Sequence, residues 1–213
     1  MIKIPPITKS TILLALFATC GSSLLLWADQ NTKERIAVNE AETLKARLNE
    51  IVPESKHDNA LLDETVSLTS DALGSKEPLT AYIARKNNKP VAAVFTVIAP
   101  DGYSGKIKLL VGINYDSTIA GVRAISHKET PGLGDKIDVS RSDWIQGFDN
   151  RSLQNPTAND WKVKKDGGEF DAFTGATITP RAVVKAVYKT LSYFEQNKND
   201  LFKQQTNAGQ QYE

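Results

Sequence analysis

The spacing of hydrophobic and polar positions changes character along the chain. Residues 11–27 are uncharged and mostly apolar, a run of about 17 residues, near the lower limit for a membrane-spanning helix. In residues 31–51, Ala37, Ala41, Leu44, Leu48 and Ile51 recur at helical spacing among charged residues until Pro53 stops the pattern. That predicts an amphipathic helix leading away from the first segment, its narrow apolar face packed on its own domain. From Leu79 the pattern turns to strands, at 79–85, 90–99, 106–115 and 118–126, with turns at Asn87-Asn88, Asp101-Gly102 and Asp116-Ser117. These four strands predict an antiparallel meander. A helix is expected over 140–148, a strand over 160–164, and a longer helix from 180 to about 196 with Val183, Val184, Val187, Leu191 and Phe194 as its stripe. The Gln/Asn-rich tail, 203–213, is expected to fray.

The implied fold class is α+β: a single N-terminal transmembrane helix followed by an antiparallel-sheet domain with flanking helices. The expected divisions are 1–28 for a cytoplasmic N-terminus and signal anchor, 29–78 for a juxtamembrane helical segment, 79–200 for the main domain, and 201–213 for a flexible tail. Lys3 and Lys9 precede the apolar run, whereas Asp29 opens a stretch of mixed charge after it. Positive-inside logic then leaves the N-terminus cytoplasmic and the bulk of the chain outside. No small-x-small cleavage site precedes a polar start, and Trp27 stands where an interfacial aromatic would, so an uncleaved anchor is favoured over a signal peptide.

Composition narrows the chemistry. The 213 residues carry 26 basic and 25 acidic side chains, a formal net charge of +1, so no global field invites nucleic acid. Cys20 is the one cysteine, which excludes an intrachain disulfide, a Cys-x-x-Cys redox site and a thiolate-held metal cluster. Its neighbours make a poor lipidation context, and it reads as a small thiol within the membrane helix. Electron chemistry would therefore need a borrowed cofactor. Neither a Gly-x-Gly-x-x-Gly nor a Gly-x-x-x-x-Gly-Lys loop is present, which argues against nicotinamide and nucleoside-triphosphate sites.

Two segments carry candidate chemistry. In Asp171-Ala-Phe-Thr-Gly-Ala-Thr-Ile-Thr-Pro180, Thr179 is expected as N-cap and Pro180 as first helical residue. Gly175 permits a tight turn, Ala176 keeps bulk away, and Thr177 precedes a helix whose free amides and dipole favour a phosphate. On the residues alone, a capped helix after a turn explains the same string. The other segment, Ser126-His-Lys-Glu-Thr-Pro-Gly-Leu-Gly134, follows the last meander strand, and its Pro131, Gly132 and Gly134 suit a close-approach loop. His127 fits a hydrogen-bonded loop residue as well as a proton donor, and His57 reads as surface.

Thr174-Gly-Ala-Thr177 preceded by Asp171 resembles the flavinylation motif of the periplasmic FMN-binding domain family, and the segment from Ser126 to Gly134 resembles that family's second hallmark. The resemblance implies that Thr177 takes FMN by a phosphoester, placed there by a magnesium-dependent flavin transferase that cleaves FAD. Asp171, Gly175 and Ala176 occupy motif positions, and Thr174 stands where serine is commoner. Glu129, Thr130, Gly132, Leu133, Gly134, His127 and Thr179 become candidate FMN contacts, Leu133 lying on the ring and Glu129 or Thr130 hydrogen-bonding its polar atoms.

Within that family, one membrane helix and one domain in a short chain resemble the G subunits of the Rnf/Rsx ion-translocating electron-transport complexes. This implies a bacterial inner-membrane protein with a periplasmic domain, the other members of the complex as partners, and a redox role rather than turnover alone. The C subunit of the sodium-translocating quinone reductase shares both motifs and is usually longer. A flavin-free membrane-tethered assembly or sensory module is the alternative from another class. A stand-alone reductase would need a substrate site that these motifs do not provide.

Overall fold

The computed structural model describes residues 6–203, so Lys3 and the tail from 204 onward lie outside the described residues. The first element is a helix, α1 (Pro6–Ile51), 46 residues without a break where two helices were expected. Neither Gly nor Pro occurs between Trp27 and Pro53, and the polar side chains at the junction fold back onto the helix. Asn31 Nδ2 donates to the Trp27 carbonyl at 2.8 Å, Thr32 Oγ1 to that of Ala28 at 2.9 Å, and Lys33 pairs with Asp29. Over Lys9–Ile51 the helix is long and apolar enough to cross a membrane. Ile12, Leu13, Leu14, Leu16, Phe17 and Leu24 to Trp27 are exposed on it, as is Cys20.

The chain divides into two units, Met1–Leu44 and Lys45–Glu213. The second holds a five-stranded antiparallel sheet in sequence order: β1 (Thr65–Ser70), β2 (Ser75–Lys86), β3 (Lys89–Gly102), β4 (Gly105–Asn114) and β5 (Ile119–Ser126). The expected four-strand meander is β2 to β5. Strand β1 was missed because Thr65-Val-Ser-Leu is short and polar at alternate positions, a pattern legible only as an edge strand beside 79–82. Asn87 and Asn88, both at positive φ, make the β2–β3 turn, as their side chains suit. The β3–β4 turn falls at Tyr103-Ser104, two residues beyond the expected Asp101-Gly102, because the ladder runs on to the Gly102–Gly105 pair.

Helix α2 (Ile178–Lys203) packs chiefly on β3. The rings of Tyr193 and Phe194 meet Phe95 edge-on at 6.3 and 6.0 Å, over a core that includes Ile83, Val97, Leu109, Val111, Val183, Val187 and Leu191. Alternation puts Val94, Leu110, Gly112 and Gly121 on the opposite face, where the last turn of α1 packs. Leu48 and Ile51 are buried there, and a Cβ on Gly112 would come within 2.1 Å of Ile51 Cγ2. Of the expected stripe in 31–51, only this end is buried: Leu44 is half-buried and Ala41 exposed, while the Ala37 side chain lies outside the described set. With both faces covered, β3 reads as the near-continuous apolar run Val91 to Val97.

Other expectations need correction. Residues 140–148 form only a short 3-10 helix, Asp143–Phe148, capped by Ser142. Residues 160–164 are no strand: inward Trp161 and Val163 alternate with outward Lys162 and Lys164, but the available partner is a single bridge from Val163 to Phe170. Helix α2 starts at Ile178, two residues early, and runs to Lys203 rather than ending near 196. Leu201 is buried, Phe202 stacks near Tyr115 at 5.4 Å, and Arg85 Nη2 donates to the Phe202 carbonyl, which extends the helix beyond its stripe. His57 is half-buried rather than surface, its Nδ1 2.8 Å from the Asn59 carbonyl oxygen.

Because Phe95 is fully buried between sheet and α2, Phe95→Ala is expected to lower unfolding free energy by about 3–5 kcal/mol in urea titrations. A loss below about 1 kcal/mol would show that α2 is not held through this contact.

Candidate functional site

Phe170 and Phe173 pin the threonine-rich segment to an aromatic cluster. Phe170 lies 4.7 Å from Phe148 and 5.0 Å from Trp161, and Phe173 meets Trp144 edge-on at 5.0 Å. Trp144 Nε1 donates to the Asp171 carbonyl at 2.8 Å. Between these anchors and α2 the chain turns sharply: the Ala176 amide donates to the Phe173 carbonyl at 3.1 Å, with Gly175 at φ 83° in the place that favours glycine. The turn delivers Thr177, half-buried, to the boundary of α2. Its carbonyl accepts from the Arg181 amide at 3.3 Å, the first bond of the helical ladder, so Thr177 rather than Thr179 holds the N-cap place. Pro180 sits in the first turn, where its missing amide costs no helical bond.

Thr179 is fully buried and donates its hydroxyl to the Glu129 carboxylate through a very short hydrogen bond. The other carboxylate oxygen of Glu129 accepts from the Ser104 amide at 3.0 Å. One buried carboxylate thus ties together the loop 126–134, the tip of the β3–β4 hairpin and the first turn of α2, close to the helix end whose dipole favours a negative group. The loop itself is wound on the Thr130 carbonyl, which receives the amides of Leu133 and Gly134 at 3.1 Å and of Asp135 at 3.4 Å. A Cβ on Gly134 would lie 2.8 Å from both Glu129 Oε2 and Thr179 Oγ1, so this position has no room for a side chain.

These segments enclose a cavity of about 290 Å³ lined by Tyr103, Glu129, Thr130, Leu133, Gly134, Gly175, Ala176, Thr177, Ile178 and Thr179. Eight of the lining residues were expected as contacts. Tyr103 and Ile178 carry no sequence motif, being a hairpin-tip tyrosine and a helix-opening isoleucine; what marks them is that large apolar side chains stay exposed there, 68% and 45%. Four expected contacts stand apart. Asp171 and Thr174 are exposed outside the cavity, and the Asp171 carboxylate lies 2.8 Å from Lys164 Nζ, whose pKa it raises through that hydrogen bond and then through its charge. Gly132 forms the exposed loop turn at φ 79°. His127 turns inward to brace the loop, its Nδ1 accepting from the Glu129 amide at 3.2 Å.

Two exposed ion pairs flank the site. Arg181 forks onto Asp166, its hydrogen bond holding that carboxyl below the usual range, and Lys185 meets Asp101 at 2.6 Å with the same effect. A larger cavity, about 450 Å³, lies at the end of α1 against 54–63 and contains neither motif segment. Among the described residues no group of three or more His, Cys, Asp or Glu is placed to hold a metal ion.

The meander, the glycine-walled cavity and the helix entering at Thr177 define an FMN-binding domain: a family model described as FMN-binding domain matches residues 102–192, from the hairpin tip into α2. A second, described as RnfG N-terminal region, matches residues 1–51. The chain is 50% identical over 197 residues to the G subunit of the ion-translocating oxidoreductase complex of Pseudoalteromonas atlantica, covering 92% of each chain. It is 45% identical over 207 residues to the protein of that name in Vibrio vulnificus, and 47% over 208 in Shewanella loihica, covering 97% of this chain and 98% of each relative. The chain belongs to the family of G subunits of ion-translocating oxidoreductase complexes.

Thr179→Val keeps the shape of the residue but leaves Glu129 Oε2 without its donor. It is expected to cost about 1–3 kcal/mol in thermal unfolding and to speed hydrogen exchange at the Ser104 amide, the group on the other oxygen. Unchanged exchange at Ser104 would mean that the hairpin tip is held independently of α2.

Proposed function

We propose that this chain is the FMN-carrying redox subunit of a membrane complex that couples electron transfer to ion translocation, with FMN held by a phosphoester to Thr177. The carrying observation is the position of Thr177: a half-buried hydroxyl at the N-terminal boundary of α2, in the wall of a cavity that combines the exposed side chains of Tyr103, Leu133 and Ile178 with the buried carboxylate of Glu129. The residues fit the group. Free amides of the first turn of α2 suit a phosphate, and Leu133 and Ile178 offer apolar surface to a flat ring. Glu129 and Thr130 offer polar atoms. At about 290 Å³ the cavity is near the small end for ligand sites, so part of such a ring would stay in contact with solvent or a partner.

When bound, FMN supplies one- or two-electron redox chemistry; the protein supplies position, solvent exclusion and tuning. Attachment forms the bond from Thr177 Oγ1 to the FMN phosphorus as the pyrophosphate of FAD is cleaved, AMP leaving and the hydroxyl proton passing to solvent or to a base of the transferase. The exposure of Asp171 and Thr174 supports their reading as motif residues met by that enzyme rather than by the ring. The flanking charges support an inner-membrane anchor with the N-terminus cytoplasmic and the FMN-binding domain periplasmic. The relatives, matched over nearly their whole length, favour this reading over the C subunit of the sodium-translocating quinone reductase. The other subunits of the complex are the electron partners on this reading.

The intact mass of the chain, purified after coexpression with flavin transferase, is expected to exceed the sequence mass by one esterified FMN, with in-gel fluorescence that survives denaturation. Thr177→Val should abolish both while the protein still folds. Retained fluorescence in the variant would sink the assignment, and a native chain without the increment would favour the flavin-free assembly module.

A further inference from the structure

We infer that Tyr103 forms a stacking wall of the flavin site, its phenol ring lying against the isoalloxazine across the cavity from Leu133 and Ile178. This deepens the FMN reading and rests on it for the identity of the ligand.

Exposure singles the residue out. Among the described residues of Lys45–Glu213, five large hydrophobic side chains are exposed: Leu62, Tyr103, Tyr115, Leu133 and Ile178. Three of the five line one cavity, and Tyr103, at 68%, is the most exposed of all. The other exposed tyrosine, Tyr115, is engaged, with Phe202 at 5.4 Å and Lys198 Nζ 4.1 Å above its ring. Tyr103 has no such ring partner among the described residues.

Its backbone, by contrast, is held on both sides. The Ser104 amide donates to Glu129 at 3.0 Å, and Asp101, at the root of the hairpin, is bonded by Lys185 of α2 at 2.6 Å. Gly102 is packed so closely that a Cβ there would come within 2.2 Å of the Gly105 carbonyl oxygen and 2.9 Å of Glu129 Oε1. A hairpin tip normally stays loose, because ordering it costs about 1–2 kcal/mol per residue. Here the tip is fixed by a buried carboxylate while the side chain it carries stays 68% exposed and meets no other aromatic ring among the described residues. Such a ring is preorganised for a partner that arrives, and the partner that fits is flat and electron-poor, since an electron-rich phenol stacks well on such a face.

The test uses the full chain in detergent, coexpressed with flavin transferase, as wild type, Tyr103→Leu and Tyr103→Trp. Mass measurement reports attachment and flavin emission reports stacking, because an electron-rich ring in van der Waals contact quenches excited flavin. The expected result is full attachment in all three, emission raised several-fold in Tyr103→Leu, and quenching kept in Tyr103→Trp. Equal emission from wild type and Tyr103→Leu, both fully loaded, overturns the inference. So does unchanged emission combined with weakened complex assembly, which would make the tyrosine a contact for another protein of the complex. If the wild type carries no mass increment, the Thr177 bond fails separately, and added FMN reads the wall instead. Tyr103→Leu should then weaken FMN binding about two- to tenfold. Equal affinity for added FMN in the two proteins overturns the inference.

Discussion

The carboxylate of Glu129 is the contact on which the site depends. It is buried, it receives the Thr179 hydroxyl and the Ser104 amide, and no Lys or Arg stands among its hydrogen-bond partners in the described residues. Three segments distant in sequence, the β3–β4 hairpin, the loop after β5 and the first turn of α2, converge on one side chain. A buried carboxylate without its donors is costly, so the three segments are specified together. Gly134 follows from the same contact: only a residue without a Cβ lets the loop approach the pair formed by Glu129 and Thr179.

A second constraint acts from the opposite side. Phe170 and Phe173 fix the extended segment leading into the motif turn, and the core under Phe95 fixes α2 leading out of it. The turn between them has little freedom, and Thr177 stands where the two constraints meet. This division explains which motif residues enter the cavity. Gly175, Ala176, Thr177 and Thr179 lie on the α2 side and line it, whereas Asp171 and Thr174 lie on the outer side and face solvent.

The meander was legible because β2 to β5 alternate or run apolar for long stretches and are joined by turn-forming Asn, Asp and Gly. Strand β1 and the 160–170 region were not, because one needs its neighbour to be recognised and the other has strand-like alternation without a partner strand. For the site, two short motifs located both walls of the cavity. The role of Thr179 was misplaced: local capping preference named it the N-cap, but a contact fifty residues away in sequence claims its hydroxyl and moves the helix start to Ile178. Tyr103 was invisible for a related reason, since its significance comes from what the hairpin is tied to and not from its neighbours in sequence.

The small cavity and the proposed tether belong together. A cofactor held by contacts alone must be deeply enclosed, commonly with most of its surface buried, and deep enclosure distances a ring from the partner that exchanges electrons with it. A cavity of about 290 Å³ with exposed side chains in its wall gives up that retention. The proposed covalent bond at Thr177 would separate the two demands: the threonine would keep the cofactor, and the walls would need only to orient it. The effective concentration of a tethered ring at its own site is set by geometry and not by affinity, so the walls can stay few and leave an edge free. On this reading the sparseness of the pocket is a requirement of electron exchange, and the phosphoester, which lies far from the redox-active ring, allows it without altering ring chemistry.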